Sequence, residues 1–445
     1  MKERCGIYSV AVVGGGFSGL CFCNLLLKSG KISANDIVLL EGNKRVGKKI
    51  LATGNGRGNL TNVCVSPEFY HGDAAFAAAA LNEYSNTELI DFFYSLGLIT
   101  CEENGKIYPA SFSAGAISDV LRFSLDDKKM RVLTDYYVAD IDYSEKKKCF
   151  VITPEKKNEK FLQTADAAGD KPPFSGEIFA EKVVVATGGS SGAGFLTDGR
   201  SYALLKKFGH KITDLSPSLV QIKTEREILK GLKGLKQEVN LSLFGSLKKG
   251  ENPRFIKSFC GDLLFCDYGV SGNAVFSISA YLKGVYNPTL KIEFLPEFSE
   301  SDLNKKLFPF IKNGVTLERL YVSVLPSRLM QTIFKRAGFA SADKADEKNV
   351  SAVNRLIKAL ILKIEGTLNF ESSQVTAGGI DTRDVYPDMQ SKLKSGLYVI
   401  GEALNVDGDC GGYNLQWAFT SAAVCANKMF SDKKTVFDKN AKNNN

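Results

Sequence analysis

Gly14, Gly16 and Gly19 stand in the order G-x-G-x-x-G, and Glu41 follows twenty-two residues after Gly19. Glycines at that spacing serve phosphate chemistry. The first permits a tight turn, the second lets backbone approach a pyrophosphate, and the third lets a helix pack closely on a strand. An acid at the end of the next strand accepts hydrogen bonds from a ribose. The elements needed to position these groups are also present. Residues 9–13 form a short apolar strand, 20–27 an apolar helical run, and 36–40 a second strand that ends in Glu41. The helix start offers unpaired N–H groups and partial positive charge to phosphate oxygens, and Ser18 lies in its first turn. A nucleotide-binding βαβ unit is therefore expected, in preference to a glycine-rich structural turn.

Composition narrows the class. The chain has 445 residues, 44% of them hydrophobic and 24% charged, as in an ordinary soluble protein large enough for two or three cores. Its net charge of +8 suits anionic ligands without forming a basic arm. Ten cysteines occur with no C-x-x-C pair, which excludes a disulfide framework and the usual zinc spacing. Only two histidines are present, His71 and His210, too few for a histidine-rich metal centre, and no nucleophile elbow supports a Ser-His-Asp triad. The apolar stretch 7–27 contains three consecutive glycines and reads as strand plus helix, not as a signal peptide or membrane span. No metal, no membrane contact and a cytoplasmic location are expected.

The stretch after Glu41, residues 42–62, is dense in Gly, Asn and cations and reads as an extended loop. Its amides, with Lys49 and Arg57, suit phosphate or a flat polar ring. Residues 74–96 and 114–125 carry helical periodicity, and short strands follow over 130–141, with Val138 at the start of one. A hairpin joins 149–152 to 178–179 across a polar loop at 154–177. A second buried strand, 182–189, carries Ala186 and ends in a turn at Gly188, where open α/β sheets bind ligands. The character then changes, to short β-rich runs over 212–295 and to helical patterning over 300–361.

Near the C-terminus a buried strand ends at Gly401-Glu402, a polar loop follows, and Gly411-Gly412 opens a helix that carries Asn414 in its first turn. This arrangement returns a second positive helix end to the same sheet edge. An enzyme that binds only a nicotinamide needs no such element, whereas FAD does.

Together the segments 14–19, Glu41, 49–62, 183–189 and 401–415 resemble the BaiN-like (YhiN-type) FAD-dependent oxidoreductases of the glutathione-reductase-like fold group. The motifs that carry the resemblance most specifically are TGNGRGNLTN at 53–62, GDLLFCDYGVSG at 261–272 and DGDCGGYNLQW at 407–417. The resemblance covers the chain to about residue 430. It implies an α/β fold in which a Rossmann-like FAD-binding domain is interrupted by an inserted antiparallel β-barrel-like part and a helical part. The expected division is 1–205 and 363–430 for the FAD-binding domain, 206–298 for the β-rich insert, 299–362 for the helical insert, and 431–445 for a disordered tail. Carried over residue by residue, it places FAD against Gly14, Gly16, Ser18, Gly19, Glu41, Lys49, Asn55, Arg57, Val138, Ala186, Gly188, Gly401, Glu402, Gly412 and Asn414. Two departures stand out. Gly58 occupies a position where the family usually has cysteine, and Asn273 one where proline is common.

The function implied is hydride transfer through flavin N5, with NADH or NADPH reducing the flavin and a conjugated enone of the 3-oxo bile-acid type as substrate. A flavin-dependent amine oxidase of the aminoacetone type is the alternative, because no second glycine-rich module for a nicotinamide is evident. A flavoprotein acting on or sensing RNA is the other, and it requires a basic surface at Lys230, Lys233, Lys236, Lys248, Lys249 and Lys257. A small-molecule substrate is the expected partner and nucleic acid is not; the sequence carries no signal for oligomeric state. Substrate is expected to enter between the FAD sheet edge and the inserted β part. Cys410 and Tyr413 are expected near the ring, each with a packing role as its competing reading. No catalytic residue is assigned.

Overall fold

The structure, a computed structural model, describes residues 6–155, 176–311 and 314–430. The tail from 431 and most of the polar loop expected at 154–177 lie outside the described residues. The chain divides into two units. One is Met1–Ser216 with Val375–Asn445, and the other is Pro217–Gln374.

The first unit is built on a sheet whose strand order is Arg131–Leu133, Ile37–Leu40, Tyr8–Val13, Ile178–Val185, Cys149–Pro154 and Val138–Ser144. The first four are mutually parallel, Cys149–Pro154 runs antiparallel to them, and Val138–Ser144 pairs antiparallel with Cys149–Pro154. The long strand Ile178–Val185 forks. Its first residues pair with the hairpin strand at Phe150–Ile152, and its last, Val183–Val185, pair in parallel with Leu397–Val399. Residues returning from the C-terminus thereby enter the same sheet as the N-terminal strand. Val10, Ala11 and Val12 are fully buried, as are Ile37 to Leu39 and Val183 to Val185, which is why these strands read as continuous apolar runs. Helices Phe17–Lys28 and Tyr413–Lys428 pack together in this unit, and both carry buried residues on nearly every face.

The periodicity over 74–96 belongs to two helices, Ala74–Glu83 and Asn86–Ser95. Ser85 divides them with a capping box: its side chain accepts from the Thr87 N–H, and Glu88 accepts from the Ser85 N–H at 2.7 Å.

The second unit holds a closed barrel of six strands, in the order Ile222–Thr224, Gly269–Ser271, Arg254–Cys266, Lys236–Ser246, Tyr286–Phe294 and Leu360–Thr367. Alternation fills it: Val239, Leu241, Leu243, Leu290, Ile292, Phe294, Leu360 and Leu362 are all fully buried. The expected boundary at 362 falls inside the closing strand Leu360–Thr367, which follows the helices and pairs back to both Ile222–Thr224 and Tyr286–Phe294. Helices Glu300–Leu307, Ser327–Ala337 and Glu347–Lys358 share one apolar core with the barrel, so β and helical parts form a single unit.

Candidate functional site

The N-terminal turn is as tight as its glycines require. Gly14 has φ +108°, and a Cβ there would stand 2.5 Å from the Ala186 carbonyl oxygen; a Cβ on Gly19 would stand 2.0 Å from the Gly14 oxygen. Gly16 differs. Its φ is −76° and a Cβ would meet nothing within 4 Å, so its open side faces space and not protein. No side chain caps the helix that follows, leaving its first N–H groups for an anion. Glu41 is buried and braces the turn: Oε2 accepts from the Gly15 N–H at 2.8 Å, and Oε1 from the N–H and side-chain amide of Asn43 at 2.7 and 2.8 Å. A carboxylate has about four acceptor positions, so one remains for a ribose hydroxyl. Asn43 was not expected; its only sequence signal is its position two residues after the acid.

The C-terminal elements come to the same place. Gly401 has φ +71°, and a Cβ there would stand 2.8 Å from the Ser18 hydroxyl oxygen on the N-terminal helix. The Gly401 N–H donates to Ser421 at 2.9 Å, and the Trp417 indole donates to the Gly401 carbonyl at 3.1 Å. Gly412 has φ +98°, and a Cβ would press to 2.6 Å against the backbone of Thr61. It opens the helix Tyr413–Lys428, again with no side-chain cap. Glu402 meets two other expected positions: Oε2 pairs with Lys49 Nζ at 3.0 Å and lies 3.8 Å from where a Cβ of Gly188 would be. Its Oε1 accepts from the Thr376 N–H at 2.9 Å. Burial pushes the Tyr202 phenol up, and Glu402 adds to the effect. The Tyr202 hydroxyl and the Thr187 hydroxyl are buried and without a hydrogen-bond partner among the described residues.

Other expected residues sit differently. Asn414 turns back on its own loop, accepting from the Gly408 N–H and donating to the Gly408 oxygen, both at 2.8 Å. Asn55 is exposed in left-handed backbone, φ +56°. Arg57 is held by Glu103 and by the rings of Tyr108 and Phe112. Val138 is buried at the start of the edge strand Val138–Ser144. Tyr413 is buried and stacked on Phe69 with ring centres 4.8 Å apart, and burial pushes its phenol up, all of which fits packing. Cys410 is half-buried. A pair not expected from sequence lies beside it: His71 Nε2 is 2.8 Å from an oxygen of buried Asp409, and His71 faces Asp407 across a short antiparallel pairing.

Glycine cradles that a Cβ would fill, two uncapped helix starts, a cation beside Glu402 and orphaned buried hydroxyls fit an extended dinucleotide. Among the described residues no group of three or more His, Cys, Asp or Glu could hold a metal, and no helix is long and apolar enough to cross a membrane.

Comparison with known proteins places the chain in a family. The family model described as HI0933-like protein Rossmann domain matches residues 8–428. A 3-dehydro-bile acid delta(4,6)-reductase from Clostridium scindens is 32% identical, over 93% of this chain and 96% of that protein. A ribosomal RNA dihydrouridine synthase from Haemophilus influenzae is 30% identical over 93% of this chain and 96% of that protein. One of the same name from Escherichia coli is 28% identical over 96% of this chain and 99% of that protein. The chain belongs to the HI0933-like Rossmann family and is an FAD-dependent oxidoreductase.

Proposed function

We propose that this HI0933-like protein reduces a carbon–carbon double bond conjugated to a carbonyl in a ring substrate, with NADH or NADPH as electron donor. The supporting observation is the likeness, over nearly the full length of each, to relatives whose names describe one kind of step. A bile-acid Δ4,6-reductase and a dihydrouridine synthase both saturate a ring double bond in conjugation with a carbonyl. Such a bond takes hydride at the carbon β to the carbonyl and a proton at the α carbon. Bound FAD supplies the hydride-transferring ring.

The chain's own residues do the rest. The Gly14–Gly16–Gly19 turn and the uncapped start of Phe17–Lys28 receive the pyrophosphate. Glu41 offers its remaining acceptor position to the ribose. Lys49 and Glu402 flank the sheet edge, and the uncapped start of Tyr413–Lys428 would offer its positive end to a bound flavin, an effect of about 1 kcal/mol on a negative charge there.

A second reading, a uracil base in RNA as the reduced ring, is favoured by one observation. Residues 217–374 carry 23 Lys and Arg against 16 Asp and Glu, a net +7 of the chain's +8. Four of the six lysines that reading requires are already beside carboxylates: Lys230 with Glu227, Lys233 with Asp267, Lys236 with Asp262 and Lys248 with Glu251. A small-molecule enone therefore remains the leading substrate.

Anaerobic titration of the purified yellow protein with NADH, NADPH or aminoacetone tests the proposal, followed by reoxidation of the bleached protein with a 3-oxo-4,6-diene steroid or ribosomal RNA. Bleaching by a nicotinamide and recovery with the dienone supports it. Bleaching by aminoacetone alone would make the protein an amine oxidase, and recovery with RNA alone would establish the second reading.

A further inference from the structure

Arg57 was expected against FAD, yet its surroundings are those of a different kind of site. Its Cζ lies 4.6 Å from the Tyr108 ring centre and 4.4 Å from that of Phe112. The two rings are themselves 5.5 Å apart, so they form a corner behind the guanidinium and do not sandwich it. The Arg57 side chain stays 40% exposed. Its Nη2 donates to Glu103 at 2.5 Å, and among the described residues no other side-chain acceptor takes its Nε or Nη1. A guanidinium has five donors in a planar fork, and most of this fork is unspent.

The corner is held under strain. Phe112 has φ +48°, in the left-handed region that a bulky side chain rarely adopts, and the residue is 38% exposed. Phe112 closes a turn in which its N–H donates to the Pro109 carbonyl at 2.8 Å, a position that glycine would fill without strain. The corner also adjoins the loop that opens the C-terminal helix. Tyr108 lies on the strand Lys106–Pro109, whose Ile107 pairs with Thr61, and the next residue, Asn62, donates to the Gly411 carbonyl at 3.2 Å. Burial pushes the Tyr108 phenol up against the pull of Arg57, and Glu103 and the Cys410 thiol add to the rise.

We propose that Arg57, backed by buried Tyr108 and exposed Phe112, is a binding site for an anionic substituent of the substrate, with the Phe112 face receiving its ring. The ligand class is a flat or fused ring that bears a carboxylate or a phosphate. The assignment rests on the reading above that the reduced bond lies in a ring. Glu103 holds the fork in place and competes with the ligand for it. As a half-exposed ion pair it holds the fork more weakly than a bidentate contact to a ligand anion would.

The test measures binding through the perturbation of bound-flavin absorbance, without turnover. The probes are a 3-oxo-4-ene steroid carboxylic acid against its methyl ester, and uridine 5′-monophosphate against uridine. Wild type is expected to bind the anionic member of one pair roughly tenfold more tightly, the size of one charge-assisted hydrogen bond, and that pair identifies the source of the anion. Arg57→Gln should erase the gap at unchanged FAD content, and Glu103→Gln should widen it. Equal binding within both pairs in wild type overturns the proposal, as does a gap that survives in Arg57→Gln or a variant that purifies without FAD. If Arg57→Gln fails to fold, Glu103→Gln decides alone: a gap that stays the same or narrows overturns the proposal. Failure of nicotinamide-driven reduction would sink the proposed activity and leave this binding result standing.

Discussion

Lys49 Nζ lies 3.0 Å from Glu402 Oε2, joining side chains that are 353 residues apart in the chain. The pair ties the loop after the Rossmann acid to the strand end that returns from the C-terminus. Both side chains remain partly exposed, 27% and 21%, so the contact contributes at most about 1 kcal/mol to stability. Lys49→Met is therefore expected to leave the melting temperature of the FAD-free protein nearly unchanged. Its affinity for FAD should fall roughly tenfold, because the proposed dinucleotide site loses a cation. Fluorescence titration with FAD and a thermal melt of the stripped protein measure the two effects separately.

Gly16 and Gly19 should separate in the same assay. An added Cβ at Gly16 meets no protein atom within 4 Å, and its φ of −76° suits alanine. Gly16→Ala should thus fold normally and lose FAD, because the methyl occupies the approach of the pyrophosphate. An added Cβ at Gly19 collides with the Gly14 oxygen at 2.0 Å, so Gly19→Ala should also lose about 1–3 kcal/mol of stability in denaturant unfolding. Equal FAD binding by Gly16→Ala and wild type would place the pyrophosphate elsewhere.

These glycines are legible in sequence because close backbone approach and positive φ leave a compositional trace. Gly401 and Gly412 were legible for the same reason, though their contacts with Ser18 and Thr61 lie far away in the chain. The closing barrel strand Leu360–Thr367 was not, because its first residues continue the helical periodicity of 300–361 and its partners, Ile222–Thr224 and Tyr286–Phe294, precede those helices. Arg57 was legible as a cation in a phosphate-like loop. Its partners Glu103, Tyr108 and Phe112 come from a strand pair and a strained turn that no local pattern announces.

In the second unit, Lys358 connects the helix Glu347–Lys358 to the barrel. Its Nζ pairs with Glu293 at 3.0 Å and donates to the Phe294 and Leu295 carbonyls at 3.1 and 2.8 Å. Burial raises the Glu293 carboxyl, but hydrogen bonds from Lys358 and Asn240 outweigh it and hold the carboxyl below its ordinary value. A carboxyl lowered in the folded state stabilises above its unfolded pKa of about 4.3 and loses that contribution as pH falls through the folded value. The melting temperature of Glu293→Gln should therefore lie below wild type at pH 7, and the difference should shrink under acid below about pH 4. A difference that persists undiminished at the lowest pH would show that the carboxylate charge is not its source.

Phe112 offers a test of strain against contact. Glycine at φ +48° is unstrained, which recovers about 1 kcal/mol, while loss of the ring from Arg57 costs about 0.5–1 kcal/mol at an exposed site. Phe112→Gly should consequently unfold within roughly 0.5 kcal/mol of wild type by urea titration. Binding of the ring-bearing anion should nonetheless weaken several-fold. Marked destabilisation would mean that the ring is there for packing.

Gly58 stands where the family resemblance leads one to expect cysteine, and the structure gives a reason why a thiol cannot simply be introduced. Its φ is +77°, and a Cβ would stand 2.7 Å from Ile117 Cδ1 and 2.9 Å from the Ala114 Cα. The isoleucine tip can shift, but the helix Ala114–Asp127 starts at that alanine and its backbone cannot yield as cheaply. Left-handed backbone adds a further cost of about 1 kcal/mol for a residue with a Cβ. Gly58→Cys is expected to lose about 2–4 kcal/mol in total, by overpacking and strain together, and to show no gain in flavin reduction rate. Alanine at the same position should lose nearly as much, since the Cβ and not the sulfur makes the collision. If Gly58→Cys instead matched wild type in urea while alanine did not, a favourable contact of the thiol would have to offset the collision.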